Sequence, residues 1–275
     1  MAETNGASHY GGDGLTDRIT TALAEAGLLG RRLSPADLAP LDQFHTRGMA
    51  ATVELAAAAH IAATDTVLDV GSGLGGPSRT LASTFGCSVT GIDLAPSFVE
   101  AAGMLSELAG LADRVRYRCA DALAMPFADA SFDVAWSQHV AMNIADRAGL
   151  YAEIHRVLKP GGRFATYDVV AGSGEPLHVP VPWSAGPDTS FLLRADAMRD
   201  ILERQGFRVE NWVDRTADAV AWVGQQQARA KVGAGGPTLG LHLAMGPEFP
   251  RMAANLGRNL LEGRVGIQQA VLVRT

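Results

Sequence analysis

The run Val67 to Ser78 reads VLDVGSGLGGPS, and the rest of the chain can be read outward from it. Val67 to Val70 is an aliphatic stretch suited to a buried strand, and Pro77 opens a helical pattern. Between them Gly71, Gly73 and Gly76 stand in G-x-G-x-x-G spacing. Such spacing lets backbone approach a ligand closely and turns the first N–H groups of a helix towards it. Taken alone, the turn fits a tight strand-to-helix connection with no ligand, or a dinucleotide-binding turn.

Strand and helix patterns alternate on either side. The spacing predicts strands at Thr66 to Val70, Ser88 to Asp93, Val115 to Arg118, Phe132 to Ser137, Arg163 to Val170, Phe207 to Val213 and Val265 to Val273. Helices are predicted at Pro77 to Phe85, Pro96 to Ala109, Arg147 to Val157 and Arg194 to Gln205, with Pro77 and Pro96 in first turns and Gly86 and Gly110 just past the ends. Upstream, Leu15 to Leu29 and Met49 to Ala62 read as helices, with Gly30-Arg31-Arg32 and Pro35 to Pro40 as breaks. The turn Lys159-Pro160-Gly161-Gly162 precedes the fifth strand, and a Pro- and Gly-rich loop runs from Ala171 to Pro187. Ala217 to Glu262 reads as a helical insertion broken at Gly233 to Pro237. The alternation implies an α/β fold, doubly wound around a mostly parallel seven-stranded sheet, with N-terminal helices and a helical cap before the last strand. Three regions are expected: a tail and helical lid over residues 1–62, a ligand-binding α/β core over 63–170, and the sheet's end with its cap (about 217–262) over 171–275.

Composition narrows the partners. With 47% apolar and 19% charged residues the chain can build a core, and a formal net charge of -6 argues against nucleic acid, whose binding needs a concentrated basic surface. The longest apolar run, Leu55 to Ala63, is interrupted by His60, and no secretory pattern opens the chain, so no membrane partner and a cytoplasmic location are expected. Residues 1–14 lack a hydrophobic period and are expected to be mobile or ordered only by ligand. Cys87 and Cys119 have no metal or redox spacing and read as buried thiols; no metal is expected.

Three aspartates sharpen the ligand. Asp93 ends the second strand, where a carboxylate can accept from both hydroxyls of a ribose, as suits NAD or adenosine. Asp69 lies two residues before the first glycine, and Asp121-Ala122 follows the third strand, where a side chain and a backbone amide could read an adenine edge. A nicotinamide enzyme has no need of this pair. Through LDVGSGLGG, GIDLAP, ADALAMPF, FDVAWSQH and VLKPGG, the chain resembles the class I S-adenosylmethionine-dependent methyltransferases, over roughly residues 40–275. It is similar above all to small-molecule enzymes: sarcosine/dimethylglycine and phosphoethanolamine N-methyltransferases and antibiotic-pathway sugar O-methyltransferases.

The resemblance implies that Gly71, Ser72 and Gly73 line the S-adenosyl-L-methionine site with Asp69 beside them. It further implies that Asp93 and Leu94 hold the ribose, Asp121 and Ala122 the adenine, and Ser137 and Gln138 flank the methionine part. Gln43 and His45, in LDQFHTRG, fall where the family closes over the methionyl end. His139, just past the fourth strand, is the candidate base, with Asn143 four residues on to orient it or the acceptor; the family carries an acid and a histidine at these two positions. His178, Trp183, Trp222 and Met245 are candidates for an acceptor pocket, with Gln226, His242 and Phe249 nearby. The expected function is methyl transfer to the N, O or C of a small metabolite by a monomer or homodimer, leaving S-adenosylhomocysteine. A methyltransferase-like binding protein without catalysis and an NAD(P)-dependent oxidoreductase are the alternatives.

Overall fold

A computed structural model describes residues 14–232 and 238–275. The expectations for residues 1–13 and for the break at Gly233 to Pro237 fall outside the described residues. In chain order the elements are α1 (Leu15–Glu25), α2 (Pro35–Asp42), α3 (Met49–Ala58), β1 (Thr66–Val70), α4 (Gly76–Phe85), β2 (Ser88–Asp93), α5 (Pro96–Leu108), β3 (Val115–Cys119), β4 (Phe132–Gln138), α6 (Arg147–Val157), β5 (Leu158–Ala171), α7 (Ala195–Arg204), β6 (Phe207–Asp214), α8 (Thr216–Val232), α9 (His242–Met245), α10 (Phe249–Leu261) and β7 (Val265–Arg274).

The seven strands form one sheet in the order β3-β2-β1-β4-β5-β7-β6. β7 runs antiparallel to both β5 and β6, and the remaining pairs are parallel. Strand order reverses between β1 and β4, and an open α/β sheet takes its ligand in the crevice beyond the strand ends there. Because helices cover both faces, the central strands bury side chains on both. Trp136, Tyr167, Ile267 and Val271 pack on one face, Leu68, Ile92, Ala135, Phe164 and Leu272 on the other. A third core joins α1 and α2 to α5 through Leu15, Ile19, Leu38, Leu41, Phe98 and Leu105, and takes in Leu239 and Ala244 from the segment after α8. The N-terminal helices and the late insertion therefore share packed surface.

Three local readings need correction. Pro35 to Pro40 is part of α2: Ser34 and Asp37 form a capping box, and Pro35 occupies the first turn, where its missing N–H costs nothing. The Lys159 to Gly162 turn lies within β5 as a bulge, since Leu158 pairs with Phe132 and Arg163 with Val134, and Lys159 reaches Asp133 at 2.7 Å. Cys119 is exposed, because it ends the sheet's edge strand; Cys87 is buried as expected.

A buried ion pair fastens α2 to the core. Arg79 Nη2 donates to Asp42 Oδ2 at 2.7 Å and to the Leu74 carbonyl at 2.6 Å, with both side chains essentially inaccessible at 0% and 1%. Burial pushes the Asp42 carboxyl above its usual range, against the pull of Arg79. Gly76 makes the approach possible, since a Cβ there would lie 2.3 Å from the Asp42 carbonyl oxygen. Asp69, enclosed beneath the glycine turn, accepts from Ser78 Oγ at 2.6 Å, and burial pushes its carboxyl up to about 7.

Two predictions follow from these buried acids. Asp42→Ala leaves a buried guanidinium without its counter-charge and is expected to cost roughly 3–5 kcal/mol in urea denaturation; a loss below about 1 kcal/mol would contradict this role. Asp69 holds its proton more tightly folded than unfolded, so its contribution to stability falls as pH rises from about 4 to about 7 and levels off above. Asp69→Asn should therefore gain on the wild type by more than about 1 kcal/mol across that window, whereas parallel pH profiles would refute the buried, proton-holding carboxyl.

Candidate functional site

At the carboxyl ends of β1, β2 and β4 lies a cavity of about 910 Å³. Its floor is the glycine turn. Gly71 and Ser72 both donate their N–H to the Ile92 carbonyl, at 2.8 and 2.9 Å, which fixes the end of β1 beside the end of β2. Gly71 has φ +73°, and a Cβ there would lie 2.5 Å from Val140 Cγ2, so the turn and the end of β4 close on each other only around a glycine.

Asp93 stands across from that turn. Its Oδ2 accepts from the Gly73 N–H at 2.9 Å and its Oδ1 from the Ala95 N–H at 3.0 Å, leaving lone pairs on both oxygens for a ligand in the cavity. Burial raises its pKa, opposed by these two amides. Leu94 and Ala95 continue this wall. Asp121, Ala122 and Leu123 form the next, where Asp121 Oδ1 accepts from the Leu123 N–H at 2.8 Å. Asp42, Phe44 and His45, from the end of α2 and the turn after it, line the cavity from the lid side.

Beyond β4 the backbone bends sharply. His139 has φ +55°, its N–H donates to the Tyr167 carbonyl at 2.9 Å, and the next N–H donates to Asp168 Oδ1 at 3.0 Å. These two bonds to β5 hold a non-glycine residue in the left-handed region, a strained choice that recurs at functional sites. The His139 imidazole stacks on Tyr167 at 5.7 Å and meets His45 edge-on at 6.2 Å. Its Nε2 is enclosed with no hydrogen-bond partner. Burial, and behind it the nearby His45, hold its pKa well below the usual histidine value, so the ring is neutral at pH 7. His45 bonds the Gly48 carbonyl and Thr52 Oγ1 at 2.9 and 3.1 Å, and burial pushes its pKa down to about 4. Gln138 Oε1 accepts from Trp136 Nε1 and Thr52 Oγ1, both at 3.0 Å, while its amide nitrogen is buried and unpaired.

The sequence candidates thus divide. Gly71, Ser72, Gly73, Asp93, Leu94, Asp121, Ala122, His45, Gln138, His139, Asn143 and Trp183 come together around one cavity. Asn143 ends a single 3₁₀ turn and donates to the Val140 carbonyl. Asp69, Gln43 and Ser137 are buried just behind the walls; Ser137 lies on a strand whose neighbouring positions alternate between the faces. His178 is turned away, 2.8 Å from the Glu262 carboxylate, with its backbone held by Asn259. Trp222 packs on the sheet core and Met245 is buried in α9; neither they nor Gln226, His242 and Phe249 line the cavity. Helical spacing could not tell a pocket face from a packing face here. Missed altogether were Met142, Pro182, Phe191 and Leu256, apolar residues brought to the cavity by tertiary packing. Among the described residues no group of three or more His, Cys, Asp or Glu could hold a metal ion, and no helix is long and apolar enough to cross a membrane.

A family model described as "Methyltransferase domain" matches residues 68–166. A sterol 24-C-methyltransferase of Eremothecium gossypii is 35% identical over 176 residues, covering 61% of this chain and 47% of that protein. The chain spans about half the length, or less, of several curated sterol methyltransferases it matches. Among solved structures, the [4+2]-cyclase SpnF superposes with a TM-score of 0.68 at 23% identity, covering 94% of both chains. Geranyl diphosphate C-methyltransferase from Streptomyces coelicolor A3(2), in complex with Mg2+, geranyl diphosphate and S-adenosyl-L-homocysteine, superposes with a TM-score of 0.65 at 18% identity, covering 82% of this chain and 78% of that one. Residues 68–166 thus match a methyltransferase-domain model, and the sheet around them has the fold of the class I S-adenosylmethionine-dependent methyltransferases.

Proposed function

We propose that this protein is an S-adenosylmethionine-dependent methyltransferase acting on a small-molecule acceptor. The observation that carries the reading is Asp93: a half-buried carboxylate, held by two backbone amides opposite a left-handed glycine turn, with acceptor capacity left on both oxygens. It suits the two hydroxyls of a ribose. On the cavity walls, Ser72 Oγ and Gln138 Nε2 are buried without partners. Such groups cost about 1–3 kcal/mol each when unpaired, a cost that the amino and carboxylate groups of a methionyl chain would offset. Asp121 and Ala122 fit the adenine edge, and Phe44 and His45 close the lid side.

When bound, the sulfonium donor supplies an electrophilic methyl group, whose transfer breaks its bond to sulfur and leaves that electron pair on the sulfur. The chain's own part is alignment, exclusion of water and proton handling. Phe44, Met142, Trp183 and Phe191 supply apolar wall. His139, neutral and fixed by stacking on Tyr167, accepts a hydrogen bond from an acceptor O–H or N–H and takes the proton released as the new bond forms. Its low basicity matches an acceptor already nucleophilic, or with a weakly held proton, better than a simple alcohol. Residues 1–62 are read as a tail and helical lid, 63–170 as the donor-binding core and 171–275 as the end of the sheet with an acceptor-binding cap at about 217–262, in a cytoplasmic enzyme that needs no metal.

A second reading, binding of the same nucleoside without methyl transfer, is favoured by His139 and Asn143, which stand where the resembled methyltransferases carry an acid and a histidine. Sustained formation of S-adenosylhomocysteine from labelled donor across a metabolite library supports methyl transfer. Tight binding of S-adenosylhomocysteine with no turnover on any acceptor would favour the second reading. His139→Ala is expected to lower turnover at least tenfold with donor affinity changed less than about twofold, and unchanged turnover would remove its role. Asp93→Asn should weaken S-adenosylhomocysteine binding by roughly tenfold or more in calorimetry, and undiminished affinity would refute the ribose assignment.

A further inference from the structure

The charge lining the cavity is of one sign. Asp42, Asp93, Asp121, Asp146 and Asp188 contribute to its walls, and among the described residues no lysine or arginine does. On the segments after β4 and β5 the lining is mostly apolar, with Met142, Pro182, Trp183 and Phe191 joined by Leu256 and interrupted by Asn143 and Thr189. Asp146 and Asp188 stand exposed on these segments, and Asp188 has no ion-pair partner among the described residues.

Arginines do occur on the segments around the site, but among the described residues none of them lines the cavity. Arg47 forks onto Glu54, Arg79 is paired with Asp42, and Arg147 donates to the Phe191 carbonyl and the Tyr151 hydroxyl. Residues 1–13 and 233–237 contain neither lysine nor arginine, so they bring no such cation. Lys231 near the end of α8 is the lysine whose side chain lies outside the described residues. An anion entering this compartment would give up part of its hydration and face the carboxylates of Asp146 and Asp188, neither of which has an ion-pair partner among the described residues. An uncharged apolar body incurs no such penalty, and a cation gains.

We propose that the acceptor compartment selects a molecule with an apolar body and no anionic group, uncharged or positively charged, and rejects phosphate- and carboxylate-bearing acceptors. This rests on reading the cavity as a joint donor and acceptor site. It separates this chain from its fold neighbour crystallised with geranyl diphosphate.

The test uses the full chain saturated with S-adenosylhomocysteine. Calorimetry of that nucleoside alone comes first, because failure there would sink the methyltransferase reading rather than this one. A panel of apolar compounds is then titrated by ligand-observed NMR and thermal shift. The panel consists of sets sharing a skeleton, such as geraniol, geranylamine, geranic acid and geranyl diphosphate, with and without Mg2+. Binders are expected among the uncharged and cationic members, with the anionic member of each set at least tenfold weaker, in the wild type and in Lys231→Ala alike. Asp188→Lys should narrow that gap by threefold or more. An anionic member that binds as tightly as its uncharged counterpart, an unchanged gap in Asp188→Lys, or no binder of any charge would overturn the proposal.

Discussion

The site depends on how two neighbouring strands end. β1 leaves the sheet through a left-handed glycine turn, and the first two N–H groups of that turn bond a single carbonyl, that of Ile92, at the end of β2. This fixes Asp93 one residue further on, and Gly73 then donates to the carboxylate itself. Backbone, not side chain, therefore sets the distance between turn and acid, a spacing that mutation elsewhere disturbs little. Since glycine's freedom is what allows the bend beside Val140, the same turn also sets where β4 ends and where His139 stands.

A second constraint works from the opposite side. The Asp42–Arg79 pair is expensive to bury, yet it holds the end of α2 against the start of α4 at the one place where Gly76 leaves room for the Asp42 carbonyl. Phe44 and His45 follow immediately, and Thr52 on α3 joins His45 to Gln138 through shared hydrogen bonds. Lid and strand end thus form one polar network around a neutral pair of histidines. The shared core of α1, α2, Leu239 and Ala244 ties the late insertion to the same framework.

Much of this was legible in the sequence because it is written in backbone requirements. Aliphatic runs in the central strands, and alternation of apolar with polar residues in β3 and β6, marked all seven strands within a residue or so at most ends, and the prolines and glycines at helix ends marked α4 and α5. The glycine turn, Asp93 and Asp121 could be read because they sit at strand tips, where period-2 patterns stop. α2 was misread because two prolines outweighed a capping box, although Ser34 and Asp37 were in plain view. The acceptor wall was the least legible: Trp222 and Met245 look no different in sequence from Leu256, and which of them faces the cavity is decided by how α8 to α10 pack. Arg79 gave only a faint signal, a charge on an otherwise buried face of α4.

The most direct test is a crystal structure with S-adenosylhomocysteine bound. The account predicts both ribose hydroxyls within hydrogen-bond distance of the Asp93 carboxylate, adenine against Asp121 and Ala122, and the sulfur opening towards His139 and Trp183. Ordered nucleoside density elsewhere on the protein, or a ribose with no contact to Asp93, would contradict it.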